Sequence, residues 1–117
     1  MMKTVLFLLL CWVILGLVQC KKDADVSPCS TRIQDKISEL QSKPKQNPAA
    51  TIYEYQYRGR TVYTISANCC DQFNMVYDEC LNPICAPSGG ITGRGDGRCP
   101  DFTANATNER LVWRDPR

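Results

Sequence analysis

Cysteine is the residue type in this chain whose chemistry is most informative. The 117-residue sequence contains eight cysteines and no histidine. This density in a short chain is typical of an oxidising compartment, where disulfides supplement a small core. Without histidine the commonest base near neutral pH is missing, and bridged cysteines are not nucleophiles. We therefore expect no enzyme, although some carboxylates could form an acid pair: Asp71, Asp78, Glu79, Asp96 and Asp101.

The N-terminus predicts export. Val5 to Val18 is an apolar run that follows Lys3, and it is shorter than the roughly 20 residues that span a bilayer. Residues 1–20 are predicted to be a signal segment that ends in or just before a lipobox cysteine, and residues 21–27 to be a polar tether.

The processing of Cys20 has two possible outcomes. In the first, Leu17, Val18, Gln19 and Cys20 form a lipobox, and the Cys20 thiol is lipidated. Leu17 fits this pattern, whereas Gln19 is larger than the residue usual before the cysteine. In the second, an ordinary signal peptidase cuts after Cys20, and the protein is freely secreted.

Six cysteines remain for the folded domain in either case, because Cys11 lies within the signal segment and Cys20 is either lipidated or removed. They are Cys29, Cys69, Cys70, Cys80, Cys85 and Cys99. This set allows three disulfides, whose connectivity the sequence leaves open. Neighbouring residues of an extended chain point to opposite sides, so we expect Cys69 and Cys70 to pair with two different partners.

A glycine-rich loop before Cys99 is the second place where chemistry is possible. Its glycines can adopt positive φ angles, and Asp96 suits an Asx-type turn that accepts hydrogen bonds from nearby amides. Successive glycine amides could instead form an anion-binding nest beside Arg94 and Arg98. The possible ligand loop comprises Gly93, Arg94, Gly95, Asp96 and Gly97.

Other functions of this loop are weaker expectations. Arg94-Gly95-Asp96 spells an integrin-type tripeptide, but the turn already explains these residues. A protease inhibitor could offer Arg94 or Arg98 to a trypsin-like pocket, yet a glycine-rich loop is costly to order.

No calcium-loop spacing is present, and adjacent cysteines in an oxidising compartment disfavour zinc. We predict no metal or cofactor.

The fold that positions these residues is predicted to be α+β. A helix is expected over about residues 28–42, with Ser27 as its cap, because the apolar positions recur on one face; these are Cys29, Ile33, Ile37 and Leu40. Residues 52–57 and 61–65 predict a β-hairpin with a two- or three-residue turn. Its tyrosines, Tyr53, Tyr55 and Tyr57, lie on one side, and we expect packing rather than a sugar-stacking platform.

The second half of the chain predicts less regular structure. Met75 to Tyr77 resembles a short strand, and Asp78 to Pro83 a turn. The tail containing Trp113 adds an edge strand or lays Trp113 on the core. Residues 28–117 thus form a small disulfide-stapled domain, with one N-terminal helix packed on a short antiparallel sheet.

Three stretches carry a resemblance to a known family. They are Cys69 to Phe73 (CCDQF), Ile84 to Gly93 (ICAPSGGITG) and Gly95 to Phe102 (GDGRCPDF). Over about residues 52 to 114 the chain resembles an uncharacterised family of small Bacteroidota lipoproteins, a domain of unknown function. The leader ending at Cys20 is similar to leaders of lipoproteins in that phylum. The resemblance implies a lipid anchor at Cys20 and implies no activity.

Charge excludes one class of partner. From Lys21 onward the chain carries 13 Lys and Arg against 12 Asp and Glu, which is not the charge pattern of a nucleic-acid-binding protein. We expect a monomeric, non-catalytic binding or accessory module of the cell envelope, attached to the membrane through its N-terminal lipid. The alternative is a freely secreted, disulfide-rich binder or protease inhibitor.

Overall fold

The computed structural model describes residues 28–69 and 71–117. In chain order its elements are α1 (Arg32–Ser42), β1 (Thr51–Tyr57), β2 (Arg60–Ile65), β3 (Phe73–Tyr77), β4 (Pro83–Gly89), α2 (Phe102–Asn105) and β5 (Thr107–Arg114). The five strands form one antiparallel sheet in the order β4-β3-β2-β1-β5. The predicted α+β class is confirmed.

Helix α1 begins four residues later than predicted. Residues 28–31 form a turn, in which the Arg32 amide donates to the carbonyl oxygen of Cys29 at 3.1 Å, and Ser27 lies outside the described residues. The predicted apolar stripe is confirmed, since Ile33, Ile37 and Leu40 pack on the sheet. Burial of this stripe holds the helix in place, because so short a helix is marginal on its own.

The β1–β2 hairpin closes through a two-residue turn. Arg58 and Gly59 both have positive φ, at 50° and 74°, and Tyr57 pairs with Arg60. Positive φ at both positions is the geometry of a type I′ turn, which matches the twist of paired strands. The turn length that the sequence left open is therefore two residues.

The sheet buries apolar side chains on both faces. On the α1 face the buried residues are Leu40, Ala50, Ile52 and Ile65. On the opposite face they are Tyr57, Val62, Val76, Cys85, Cys99 and Phe102. The predicted packing role of the tyrosines is confirmed for two of them, since the Phe102 ring lies 5.3 Å from the Tyr55 ring and 5.0 Å from the Tyr57 ring, edge to face.

Strand β4 was not predicted, because it contains Pro87 and ends at Gly89, both of which are rare within strands. An edge strand tolerates them. The outer side of β4 is covered by the glycine-rich loop, where the Asp96 amide donates to the Ala86 carbonyl at 2.9 Å and the Gly95 amide to the Gly89 carbonyl at 3.0 Å.

Strand β5 forms the other edge of the sheet and pairs with β1. Trp113 lies opposite Ile52 and packs against the α1-face core. The tail therefore does both things that were predicted as alternatives: it adds an edge strand, and it lays Trp113 on the core. Two register shifts interrupt the pairing of β5 with β1, and Asn108 has a φ of 55°, so the edge is irregular.

Residues after β5 fasten the end of α1. The Arg117 guanidinium donates to the carbonyl oxygens of Leu40, Gln41 and Lys43 at 3.2, 3.3 and 3.0 Å. It also binds Asp115, whose side chain is 1% exposed, at 2.6 Å. A cation at the last carbonyls of a helix satisfies acceptors that have no partner within the helix.

Two disulfides connect the described elements. Cys29–Cys80 joins the turn before α1 to the β3–β4 turn, and Cys85–Cys99 lies within the core opposite α1. Cys29, which the sequence placed within the helix, lies in the turn before it, and its bridge fastens that turn to the sheet side of the domain. Cys69 is also disulfide-bonded, and its partner is none of these four cysteines. Cys70 lies outside the described residues. That Cys69 and Cys70 have two different partners therefore stays a prediction.

The predicted signal segment, the tether and Cys20 lie outside the described residues as well. Among the residues that are described, no helix is both long enough and apolar enough to cross a membrane.

Candidate ligand-binding site

The glycine-rich loop has the backbone conformation that its sequence predicts. All its glycines have positive φ angles, from 72° at Gly95 to 82° at Gly89. Gly95 is required for a second reason, because a side chain there would collide with the carbonyl oxygen of Ala86. The glycines thus allow the loop to turn and to lie directly against β4.

Asp96 forms the predicted Asx-type turn. Its Oδ1 accepts from the Arg98 amide at 3.0 Å, and its Oδ2 accepts from Arg98 Nε at 2.8 Å. The hydrogen bond from the Arg98 amide, together with the Arg98 side chain, lowers the pKa of Asp96. Burial would raise this pKa, but its effect is smaller. The Asp96 carboxylate is therefore bound within the loop, and it is 17% exposed. Its role in this turn is a structural reason for the aspartate of the integrin-type tripeptide.

The loop amides are occupied within the protein. The amides of Gly89 and Gly93 donate to the carbonyl oxygens of Gly93 and Gly90, at 3.3 and 3.1 Å, and Gly95 donates to Gly89. An anion nest needs such amides unpaired and converging on a ligand. These bonds also order the loop, which is therefore better organised than its glycine content suggests.

Among the carboxylates that could have formed an acid pair, Asp71 and Glu79 are exposed, and the other three are held in separate structural roles. Asp78 Oδ1 accepts from the amides of Cys80 and Asn82, both at 2.9 Å. Burial alone would raise the pKa of Asp78, but these bonds, the Asn82 side chain and nearby Arg60 lower it overall. Asp78 therefore closes the β3–β4 turn.

Asp101 joins α2 to β1. It accepts hydrogen bonds from the Tyr57 hydroxyl at 2.7 Å, from Arg58 at 3.0 Å and from Asn105 at 3.1 Å. The Tyr57 bond is the main cause that lowers its pKa from 3.8 to about 2. No group of three or more His, Cys, Asp or Glu side chains within residues 28–69 and 71–117 could hold a metal ion.

A groove of about 610 Å³ lies between α1 and the β3–β4 turn. Four charged side chains of α1 line it: Arg32, Asp35, Lys36 and Glu39. Two of these already pair, with Lys36 Nζ 3.0 Å from Glu39 Oε2. The other lining residues of the groove include Pro28, Cys29 and Leu81.

A smaller groove, of about 260 Å³, lies on the opposite face of the sheet, between the strands and α2. We call it the hydroxyl groove, because five hydroxyl side chains and one carboxamide line it: Thr51, Thr64, Ser66, Asn74, Ser88 and Thr103. Its remaining lining residues are Ile65, Pro87 and Phe102. None of the described residues in this lining is charged.

Two lining hydroxyls are positioned by the protein as acceptors. Ser66 Oγ accepts from the Thr51 amide at 2.9 Å, and Ser88 Oγ accepts from Asn74 Nδ2 at 3.0 Å. A hydroxyl that accepts one bond retains its own hydrogen and a second lone pair. These groups can therefore donate to a ligand and accept from it.

A model of a domain of unknown function, DUF6970, matches residues 38–115. The chain belongs to the DUF6970 family. No curated protein and no solved structure matches the chain.

The DUF6970 match contains the whole sheet and every residue of the hydroxyl groove, whereas Cys29 and the first half of α1 precede it. The glycine-rich loop also lies within the match, but residues 93–97 do not line the hydroxyl groove. The hydroxyl groove was not predicted from the sequence. The spacing of Thr64 in β2 and Ser66 just after it was a signal for this groove, but Ser88 could not be placed without β4.

Proposed function

We propose that this DUF6970 protein is an exported, non-catalytic binding module of the cell envelope, held at the membrane by a lipid on Cys20. The apolar run before Cys20, the cysteine content and the resemblance to small Bacteroidota lipoproteins support the location. Stable disulfides form in oxidising compartments, and two of them connect the described elements.

One contrast supports binding over catalysis. The side chains best suited to chemistry are committed to the fold: Asp78 closes a turn, Asp96 closes a loop, and Asp101 anchors α2. The hydroxyl groove, in contrast, collects hydroxyl and carboxamide side chains, and two of its hydroxyls accept a bond from the protein while keeping their own hydrogen for a ligand. We propose that this groove is the binding site.

The intact mass of the native N-terminal fragment tests the location. A lipidated Cys20 adds the mass of its acyl chains, and the Cys20→Ala variant should leave the membrane fraction. A native chain that starts at Lys21 without lipid would contradict the anchor and favour the freely secreted alternative.

Co-purification tests the binding role. The wild-type chain and the Thr51→Val/Thr103→Val variant are purified from the envelope under native conditions, and bound molecules are identified by mass spectrometry. We expect a molecule that is retained by the wild type and lost from the variant. Identical profiles would contradict the hydroxyl groove as the binding site.

A further inference from the structure

The lining of the hydroxyl groove specifies the chemistry of what it can bind. Its polar groups are five hydroxyls and one carboxamide, and none of them is charged, in a chain of which 22% of the residues are charged. Such a surface offers an ionic ligand no charge to offset its loss of hydration. It suits a ligand that is polar, neutral and rich in hydrogen-bonding groups.

We propose that the hydroxyl groove binds one ring of a neutral saccharide; this rests on the proposed binding function. Sugar hydroxyls both donate and accept, and so do the groove's own hydroxyls. Ser66 and Ser88 each accept one bond from the protein, at 2.9 and 3.0 Å. Their orientation is therefore set before a ligand arrives, which lowers the entropic cost of binding.

The apolar part of the groove matches the other face of a sugar ring. A pyranose ring carries C–H groups on its faces, which pack on apolar and aromatic surfaces. Pro87 and Phe102, which is 7% exposed, supply the apolar part of the lining, and the Tyr55 and Tyr57 rings pack edge to face with Phe102. A ring supported in this way is a rigid contact surface.

The size of the groove limits the ligand to a small unit. Its volume is about 260 Å³, below the roughly 300–1,000 Å³ usual for drug-sized ligands. A single ring fits this size class. Because the groove is open to solvent, further rings of an oligosaccharide would extend beyond it.

Saturation-transfer difference NMR on the purified full chain tests the proposal. The probes are maltotriose and N-acetylchitotriose, both neutral, with glucuronic acid as the charged comparison. We expect saturation transfer to ring protons of at least one neutral probe and none to glucuronic acid. No transfer to either neutral probe at millimolar concentration would overturn the saccharide inference.

Matched variants test the site. Thr51→Val and Thr103→Val each remove one lining hydroxyl without changing side-chain shape, and neither hydroxyl bonds to the described residues. We expect each to weaken the affinity about three- to tenfold, the usual effect of one hydrogen bond. Thr31→Val, an exposed position outside the groove, should leave the affinity unchanged.

The outcomes separate this inference from the proposed function. An unchanged affinity in both groove variants would overturn the site. If another molecule co-purifies with the wild type and is lost from the groove variant while neither saccharide binds, the saccharide inference fails and the binding function stands. If saccharide binds but the native chain carries no lipid, the membrane anchor fails and this inference stands.

Discussion

The hydroxyl of Tyr57 donates a hydrogen bond to Asp101 Oδ1 at 2.7 Å, across a sequence separation of 44 residues. The guanidinium of Arg58 lies 4.8 Å from the centre of the same tyrosine ring and also reaches Asp101. These contacts fix the end of β1 against the start of α2. They place Phe102, the next residue, over the sheet.

Tyr57→Phe should lower the free energy of unfolding by about 1–2 kcal/mol, since it removes a buried donor to a carboxylate and keeps the ring. Chemical denaturation measures the change. Tyr53→Phe is the matched control, because the Tyr53 hydroxyl forms no hydrogen bond in the described part of the chain, and it should change the stability little. Equal effects of the two variants would contradict the role of the Tyr57 bond.

Stability should fall in acid between about pH 4 and pH 2. Hydrogen bonds from Tyr57 to Asp101, and from the Arg117 side chain to Asp115, lower both pKa values from 3.8 to about 2. A carboxylate with a lowered pKa in the folded state stabilises the fold above its unfolded pKa, and this contribution is lost as the pH falls through the folded pKa.

Urea midpoints measured from pH 2 to pH 7 test this dependence. Asp101→Asn should reduce the stability at pH 7 and flatten the decline below pH 4, because it removes one of the carboxylates whose pKa the fold lowers most. Asp71→Asn alters an exposed carboxylate without an ion pair to the described residues, and it should keep the wild-type slope. A midpoint that is constant from pH 2 to pH 4 would contradict the prediction.

Arg117→Ala should destabilise the protein by about 2 kcal/mol and loosen the end of α1. The variant leaves Asp115, a side chain 1% exposed, without its cation, and removing one member of a buried pair is costly. We reduce the expected magnitude because Arg117 itself is 38% exposed.

Hydrogen exchange distinguishes this effect from a general loss of stability. Protection should fall first at the last turn of α1, where Arg117 binds three carbonyl oxygens. Arg114→Ala is the control, since Arg114 makes no ion pair or side-chain hydrogen bond with the described residues. Uniform loss of protection across the sheet would contradict a local role for Arg117.

Gly95→Ala should destabilise the loop more than Gly97→Ala. Both glycines have positive φ angles, 72° and 79°, and an L-residue there costs about 1–2 kcal/mol. Only at Gly95 would the new methyl group collide with backbone, at Ala86 and Pro87, whereas Gly97 faces open space. The difference between the two unfolding free energies measures the collision, and equal values would contradict it.

Local patterns in the sequence predicted about half of the fold. The period of Ile33, Ile37 and Leu40 predicts α1, and alternation predicts the hairpin to within one residue. The Asx-type turn at Asp96 follows from residue chemistry alone. In each case the signal lies within about ten consecutive residues, where backbone preference and burial agree.

The remaining elements depend on distant contacts. Strand β4 contains Pro87 and is tolerated only because it lies at an edge covered by the loop, and α2 is four residues long. The hydroxyl groove combines side chains of β1 to β4 with α2. Its composition could not be predicted without the strand order, which no single segment encodes.

The position of β5 has a consequence for how the chain reaches its native state. Strands β1 to β3 each pair with the next strand in sequence, whereas β5 returns to β1, with Arg110 meeting Glu54 across a separation of 56 residues. Closing so long a loop is slow compared with forming hairpins. We therefore expect β1 to present an open edge during folding until β5 docks, and a concentrated preparation should be most vulnerable to strand exchange in that interval.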